Sequence, residues 1–378
     1  MIEKQDILYF DWSSTIPMPK EVSAKLYEQL SSLENYRRQG SNIEQKVRQV
    51  RKKVANYING NENNIAFTGT STYISNLIAH SLCESKIMKV ITTPFDHHST
   101  SAPWYELETR SKAQVIEFSY ETVTNEEQFI SQIIKTQPDV LILTTINNVT
   151  GESINVEKIV KAVKNALKDL IIVCDSAQAC FMPELNGQAN QIDFLYFSAH
   201  KMYGPKSLGI LHLNDTQMEN FKPLFIGGGG IHKISKNKVI RKDVISQIES
   251  GTIDTASIIA FGEAIDYTIE NYETEYIQSL SNYFMTQASQ INDIMMYSQK
   301  SKNQIAFNIK GIHNHDLASY LRDKKIIIRA GNLCNSKLMA ELEINGCIRI
   351  SFGMKNTKNQ IDIVITQIKE FIRMWNNV

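Results

Sequence analysis

Apolar residues recur along this chain in two rhythms. Short unbroken runs, rich in β-branched and aromatic residues, stand at 65–67, 90–93, 115–118, 140–146, 170–174, 194–197 and 209–213. Between several of them the apolar positions return every three or four residues on a polar background. Ile43, Val47, Val50, Val54 and Ile58 form one such stripe, opened by Ser41 with Glu44 in capping-box spacing and closed by Gly60; Val156, Ile159, Val160, Val163 and Leu167 form another. Unbroken apolar runs alternating with amphipathic helices predict a mostly parallel, seven-stranded sheet covered by helices on both faces, an α/β architecture. Beyond Gly251 the pattern changes to helices over 256–273 and 275–292, short strands over 304–309 and 326–329, and a last helix over 358–375. These read as a smaller C-terminal α+β domain. The division expected is a large domain at 16–251 and a small one made of 1–15 and 252–378, without repeats, low-complexity tracts or a long linker.

Composition narrows the partners. The 378 residues carry 40 basic and 40 acidic side chains, a formal net charge of zero. That removes the electrostatic case for nucleic acid or an anionic membrane as principal partner and leaves a small anionic ligand open. No run of about 18 apolar residues occurs, and the first six residues are too charged for a signal peptide, so a cytoplasmic protein is expected. The five cysteines (Cys83, Cys174, Cys180, Cys334, Cys347) lack CxxC spacing, which argues against a disulfide framework or a zinc knuckle, and no metal site is expected. The glycine run 227–230 lacks GxGxxG spacing and reads as a loop.

Sheets of this kind bind ligands at the carboxyl ends of their strands, and several chemically capable residues fall there. Lys201 follows the 194–197 run, and Asp175 ends the 170–174 run. A lysine can condense with the aldehyde of a cofactor while a carboxylate on the next strand holds a pyridinium nitrogen protonated, which points to pyridoxal phosphate. Thr70, Ser71 and Thr72 open a helix after the 65–67 run and supply hydroxyls and amides for a phosphate, and Ser198 and His200 flank the lysine. His97, in Phe95-Asp-His-His-Ser99, can stack on a planar ring and relay protons. Gln178 and Asn148 can donate to the ring's phenolate oxygen. Taken singly, each also reads as an ordinary loop lysine, turn aspartate, helix cap or solvated histidine.

Taken together they resemble a known family. Asp175-Ser-Ala-Gln178, Ser198-Ala-His-Lys-Met-Tyr-Gly-Pro205, Glu249-Ser-Gly-Thr252, Gly311-Ile-His-Asn-His-Asp-Leu-Ala318 and the stretch from Ile328 through Cys334 to Met339 are similar to the class V, fold type I pyridoxal phosphate enzymes, most of all the group II (SufS-type) cysteine desulfurases and selenocysteine lyases. The resemblance runs from about Tyr9 to the C-terminus in one order. It implies Lys201 as the lysine bonded to the cofactor, Asp175 at the pyridinium nitrogen, Gln178 near the phenolate oxygen, His97 on the ring, and Thr72, Ser198 and His200 at the phosphate, beside the Ser71 already read there from its position. It further implies a homodimer in which Thr252 reaches the phosphate of the partner's cofactor. Arg349 is implied as the grip on the carboxylate of L-cysteine or a related amino acid, and Cys334 as the nucleophile that takes sulfur as a persulfide for an acceptor protein, in sulfur metabolism such as iron–sulfur cluster assembly. Three departures stand out: Asn332-Leu333 precede the cysteine where the family usually has histidines, Gly251-Thr-Ile-Asp254 replaces Gly-Thr-Pro-Asn, and Thr70-Ser-Thr72 replaces Gly-Thr-Thr. They keep open another reaction on the same scaffold (aminotransferase, epimerase or C–S lyase) and an interaction protein without chemistry.

Overall fold

The Ser41 hydroxyl accepts the Glu44 amide at 3.2 Å and starts a helix over Asn42–Ile58, whose buried face is the expected stripe of Ile43, Val47, Val50, Val54 and Ile58. The stop differs from expectation. Asn59 takes the left-handed conformation at φ 50, and Gly60 is glycine for another reason: a Cβ there would meet the His212 ring at 2.9 Å. In this computed structural model residues 7–31, 41–182 and 189–377 are described, so the charged start at Met1–Asp6 lies outside the described residues.

The chain divides into two compact units. The larger comprises Ile16–Thr145 and Ile154–Glu270. Its sheet contains β1 (Ile65–Thr68), β2 (Met88–Thr92), β3 (Ala113–Glu117), β4 (Val140–Thr144), β5 (Ile171–Asp175), β6 (Phe194–Ser198) and β7 (Gly209–Leu213). Their order is β1-β7-β6-β5-β4-β2-β3, parallel throughout except that β7 runs against both neighbours. Every residue of β4, β6 and β7 is buried, which is why these runs show no apolar–polar alternation. One apolar cluster joins Val90, Val140, Ile142, Val173, Phe194, Tyr196 and Leu211 to Leu77, Ile78 and Trp104 of the covering helices.

The smaller unit comprises Met1–Thr15, Ile146–Ser153 and Asn271–Val378. Its antiparallel sheet of β8 (Ile294–Met296), β9 (Gln304–Ile309), β10 (Arg329–Gly331) and β11 (Cys347–Ser351) has the order β8-β9-β11-β10. Helices Thr274–Ala288, Asn314–Asp323 and Lys358–Asn376 pack around Phe10, Phe284, Phe307, Ile348, Ile350 and Phe352. Three expectations shift here. The helix placed over 275–292 ends at Ala288, because the chain turns into β8. The strand placed over 326–329 is two strands with different partners: Ile326–Ile327 pairs with Leu8–Tyr9, and β10 pairs with β11. The helix Thr255–Asn271 groups with the larger unit up to Glu270, so the changeover falls there and not after Gly251.

His212, on β7, is fully buried, and neither ring nitrogen has a hydrogen-bond partner among the described residues. Burial pushes its pKa from 6.5 to about 4, against a smaller opposing pull from Asp215. Between those values the unfolded chain binds the extra proton, so this contribution is complete above pH 6.5 and is lost as pH falls toward 4. A gap of that size is worth on the order of 3 kcal/mol. In His212→Leu the fall in melting temperature on acidification through this window is expected to shrink. It should not vanish, because His200, also pushed to about 4 by burial and then by Lys201 and Lys206, titrates there too. Thermal melts at stepped pH read both; an unchanged slope in the variant would contradict the assignment.

Candidate active site

Asp175 ends β5 with Thr144 and Tyr196 beside it in register. One carboxylate oxygen accepts the Ala177 amide at 2.9 Å, and the other accepts the Thr100 hydroxyl. The Tyr196 phenol donates in turn to Thr100 at 3.1 Å. Burial raises the Asp175 pKa above the usual carboxylate value, while Thr100, the Ala177 amide and the Lys201 charge pull it back. A cationic ring N–H would ease the same buried charge. Lys201 ends the short turn Ala199–Lys201 directly after β6. Its carbonyl accepts from the Cys180 thiol at 3.4 Å, a bond that also ties it to the turn after Asp175, where Gln178 is buried. Thr100→Val removes the donor to Asp175 and is expected to cost about 1–3 kcal/mol in denaturant unfolding. Thr109→Val, at an exposed threonine, serves as the control and should cost far less.

The helix Ser71–Leu82 points its N-terminus toward the end of β6. Ser198 Oγ accepts the Ser71 amide at 3.0 Å and lies 2.7 Å from Ser71 Oγ. Thr70 caps the helix through the Tyr73 amide, and Thr72 is exposed in its first turn. Hydroxyls and amides at the positive end of a helix dipole form an anion site. Gly209 must be glycine beside this loop, since a Cβ would stand 1.8 Å from the Gly69 carbonyl. His97 caps the helix His98–Thr109, its Nδ1 accepting the Ser99 amide at 3.1 Å. Asp96, buried just before it, accepts Thr144 Oγ1 and the Thr93 amide, both at 2.7 Å, and so fixes the approach to His97.

Thr252 lines a cavity of about 230 Å³ together with Thr68, Gly69 and Glu249. Glu249 holds that corner by accepting two bonds from Arg51, at 2.5 and 2.6 Å, and one from the Phe67 amide at 2.7 Å.

In the smaller unit Arg349 is 4% exposed on β11. It donates to Asp11 at 2.8 Å and to the Asn148 carbonyl at 2.8 Å, while its Nε is buried with no partner among the described residues. Asp11 also accepts from Arg329, which opens β10. Asn148 donates its side-chain amide to the Leu333 carbonyl at 2.7 Å. The next residue is Cys334, the single exposed cysteine of the five. Burial pushes the other four thiols up, Cys83 to about 11 and Cys174, Cys180 and Cys347 to about 12. Such thiols are almost wholly protonated near neutrality and poor nucleophiles.

The profile of the family described as aminotransferase class-V matches residues 8–364, nearly the whole chain. The chain belongs to that family. Class-V aminotransferases depend on pyridoxal phosphate, and the donor set of the larger unit fits it: an amine at Lys201, a buried carboxylate at Asp175, and a hydroxyl-and-amide anion site at Ser71 and Ser198. Among class-V relatives, the probable cysteine desulfurase of Borreliella burgdorferi is 30% identical over 398 residues, covering 97% of this chain and 92% of that protein. The cysteine desulfurase of Wigglesworthia glossinidia brevipalpis is 26% identical, covering 99% and 96%. The solved apo structure of the cysteine desulfurase from Thermococcus onnurineus NA1 superposes with a TM-score of 0.90 at 26% identity, covering 97% of this chain and 95% of that one.

Of the residues expected at the site of this class-V chain, Lys201, Asp175, Ser71 and Ser198 lie in the larger unit, and Asn148, Arg349 and Cys334 in the smaller. Not foreseen were Asp96, which precedes His97 in the chain, Tyr196 and Arg329, which stand beside Asp175 and Arg349 in register, and Thr100 and Asp11, whose bonds to Asp175 and Arg349 leave no signal in the sequence.

Proposed function

We propose that this chain is a pyridoxal phosphate-dependent cysteine desulfurase, converting L-cysteine to L-alanine and carrying the sulfur on Cys334 as a persulfide for an acceptor protein. The observation that carries the reading is the placement of the thiols: one is exposed, on a turn tied through Asn148 to the buried Arg349, and four are buried.

Pyridoxal phosphate, when bound, supplies the electron sink. Lys201 holds the cofactor and exchanges protons at the substrate's α-carbon; Asp175, oriented by Thr100 and Ala177, holds the pyridinium proton. Gln178 and Asn148 would donate to the phenolate oxygen, and His97 would stack on the ring. Ser71, Thr72, Ser198 and neutral His200 hold the phosphate. Arg349 offers its Nε to the substrate carboxylate, a charge-assisted bond that suits an amino acid. Cys334 attacks the substrate sulfur as thiolate. A sulfur–sulfur bond forms, the carbon–sulfur bond breaks with its electron pair staying on Cβ, and protonation there yields the methyl group of alanine. The protein acts in the cytoplasm as a homodimer, Thr252 reaching the phosphate of the partner subunit's cofactor, and delivers sulfur to routes such as iron–sulfur cluster assembly. No described helix is long and apolar enough to cross a membrane.

The test is mass spectrometry of the holoprotein after L-cysteine without reductant. A peptide containing Cys334 heavier by one sulfur atom, with alanine in equal amount, supports the reading. Release of a keto acid with Cys334 unmodified would instead favour an aminotransferase, the reading that Asn332-Leu333 ahead of the cysteine keeps open.

A further inference from the structure

Leu333 and Cys334 both sit at positive φ, 50 and 53, although neither is glycine. Such a conformation is strained for a residue with a side chain and persists only where its surroundings hold it. On the far side, Asn335 is fully buried, donates its amide to the Asn332 carbonyl at 2.9 Å and caps the helix Ser336–Glu341 through the Leu338 amide at 3.1 Å. On the near side, the buried Asn148 amide grips the Leu333 carbonyl at 2.7 Å. Asn148 is itself well anchored: its neighbour Asn147 accepts the Val149 and Thr150 amides at 2.8 and 2.9 Å, and the Asn147 carbonyl accepts Gln304 Nε2 at 2.5 Å.

The same asparagine touches the arginine. Its carbonyl accepts Arg349 Nη1 at 2.8 Å, and Asp11 links Arg349 to Arg329, five residues ahead of Cys334. Arg349 therefore connects to the cysteine segment at both ends, through Asn148 to Leu333 and through Asp11 to Arg329. Arg349 Nε and Asn148 Oδ1 are both buried without a partner among the described residues, so this node is polar and incompletely satisfied. A carboxylate is the group that would complete the arginine.

We propose that Asn148 is the positioning residue for Cys334: it clamps the left-handed turn that presents the thiol, and it transmits carboxylate binding at Arg349 to that turn. This rests on the cysteine desulfurase reading for its purpose, since it gives the carboxylate of the amino acid substrate control over the thiol that must meet its sulfur. It gives Asn148 a task beyond cofactor contact, which the cofactor's own absorbance monitors separately.

The experiment is alkylation of the holoprotein by iodoacetamide, which reads Cys334 because the other four thiols are buried. L-alanine serves as a carboxylate-bearing probe without sulfur. In wild type, L-alanine is expected to change the alkylation rate several-fold. In Asn148→Asp and Asn148→Ala the rate without L-alanine is expected to change roughly tenfold, the equivalent of one buried hydrogen bond, and the response to L-alanine to disappear. Rates within about twofold of wild type, or a retained response in both variants, would overturn the proposal. Should both variants fail to fold, hydrogen exchange in wild type decides: L-alanine should slow the amides of 333–335, and no change there would overturn it. None of these readouts needs turnover, so absence of persulfide would count against the desulfurase reading alone.

Discussion

In a Lys201→Ala protein, alanine formation from L-cysteine is expected to fall roughly a thousandfold or more. A positioned amine that both bonds the cofactor and moves the substrate's α-proton leaves two gaps when removed, and the side chains around it cannot fill them. His200 is half-buried beside Lys206 and is assigned to the phosphate, and Asp175 is committed to Thr100 and the Ala177 amide. The cofactor should also leave on dialysis, since its proposed covalent anchor is gone while the donors proposed at Ser71 and Ser198 would keep only the phosphate. Lys222→Ala, an exposed lysine elsewhere on the same unit, is the control and should match wild type. Near-normal alanine formation by Lys201→Ala would remove the lysine from the chemistry. Near-normal cofactor retention with activity lost would keep it as the proton carrier and demote it as the anchor.

The second large effect belongs to Cys334→Ala. Sulfur labelling of the protein should vanish and alanine formation should fall by at least about a hundredfold, because a nucleophile is being deleted and not merely displaced. Substitution by another thiol is excluded by burial: Cys83, Cys174, Cys180 and Cys347 are all enclosed, with pKa values pushed to about 11 or 12. Sulfur found on one of those four in the variant, or alanine formed at the wild-type rate, would end the assignment. The Asn332-Leu333 pair makes this variant the informative one, since it separates a chain that uses its cysteine from one that keeps only the scaffold.

What could be read in the sequence followed from burial. Strands enclosed on both faces must be apolar throughout, so the runs at 140–146, 194–197 and 209–213 announced themselves, and Asp175 after the 170–174 run and Lys201 after the 194–197 run were conspicuous as charge after apolar sequence. The smaller unit was harder. Cys347–Ser351 carries a charged Arg349 at its centre, which breaks the apolar signature of a strand, yet it lies between β9 and β10 with every residue buried. The arginine is tolerated because Asp11 and the Asn148 carbonyl, 338 and 201 residues away in sequence, stand beside it. The hairpin of Ile231–Ser235 with Lys238–Arg241 was hidden for the opposite reason: nearly all of it is exposed, so no buried face imprints a period on its sequence. Tyr196 stands beside Asp175 only through strand register and Thr100 reaches it from the helix His98–Thr109, 75 residues away in sequence, and the left-handed backbone at Leu333 and Cys334 leaves no compositional trace without a glycine.

The smaller unit draws on both ends of the chain. Leu8 and Tyr9 pair with Ile326 and Ile327, and Asp11 waits for Arg349. At ribosomal speeds of about 5–20 residues per second, the 338 residues separating that last pair take roughly 20 to 70 s to make. For all that time the opening segment, with Phe10 destined for the interior, emerges before anything exists to receive it. The larger unit, whose segments are complete by Glu270, can form meanwhile. Newly made chains should therefore pass through a long interval with the larger unit assembled and the opening segment still unpaired, the stage at which a holding chaperone has most to offer.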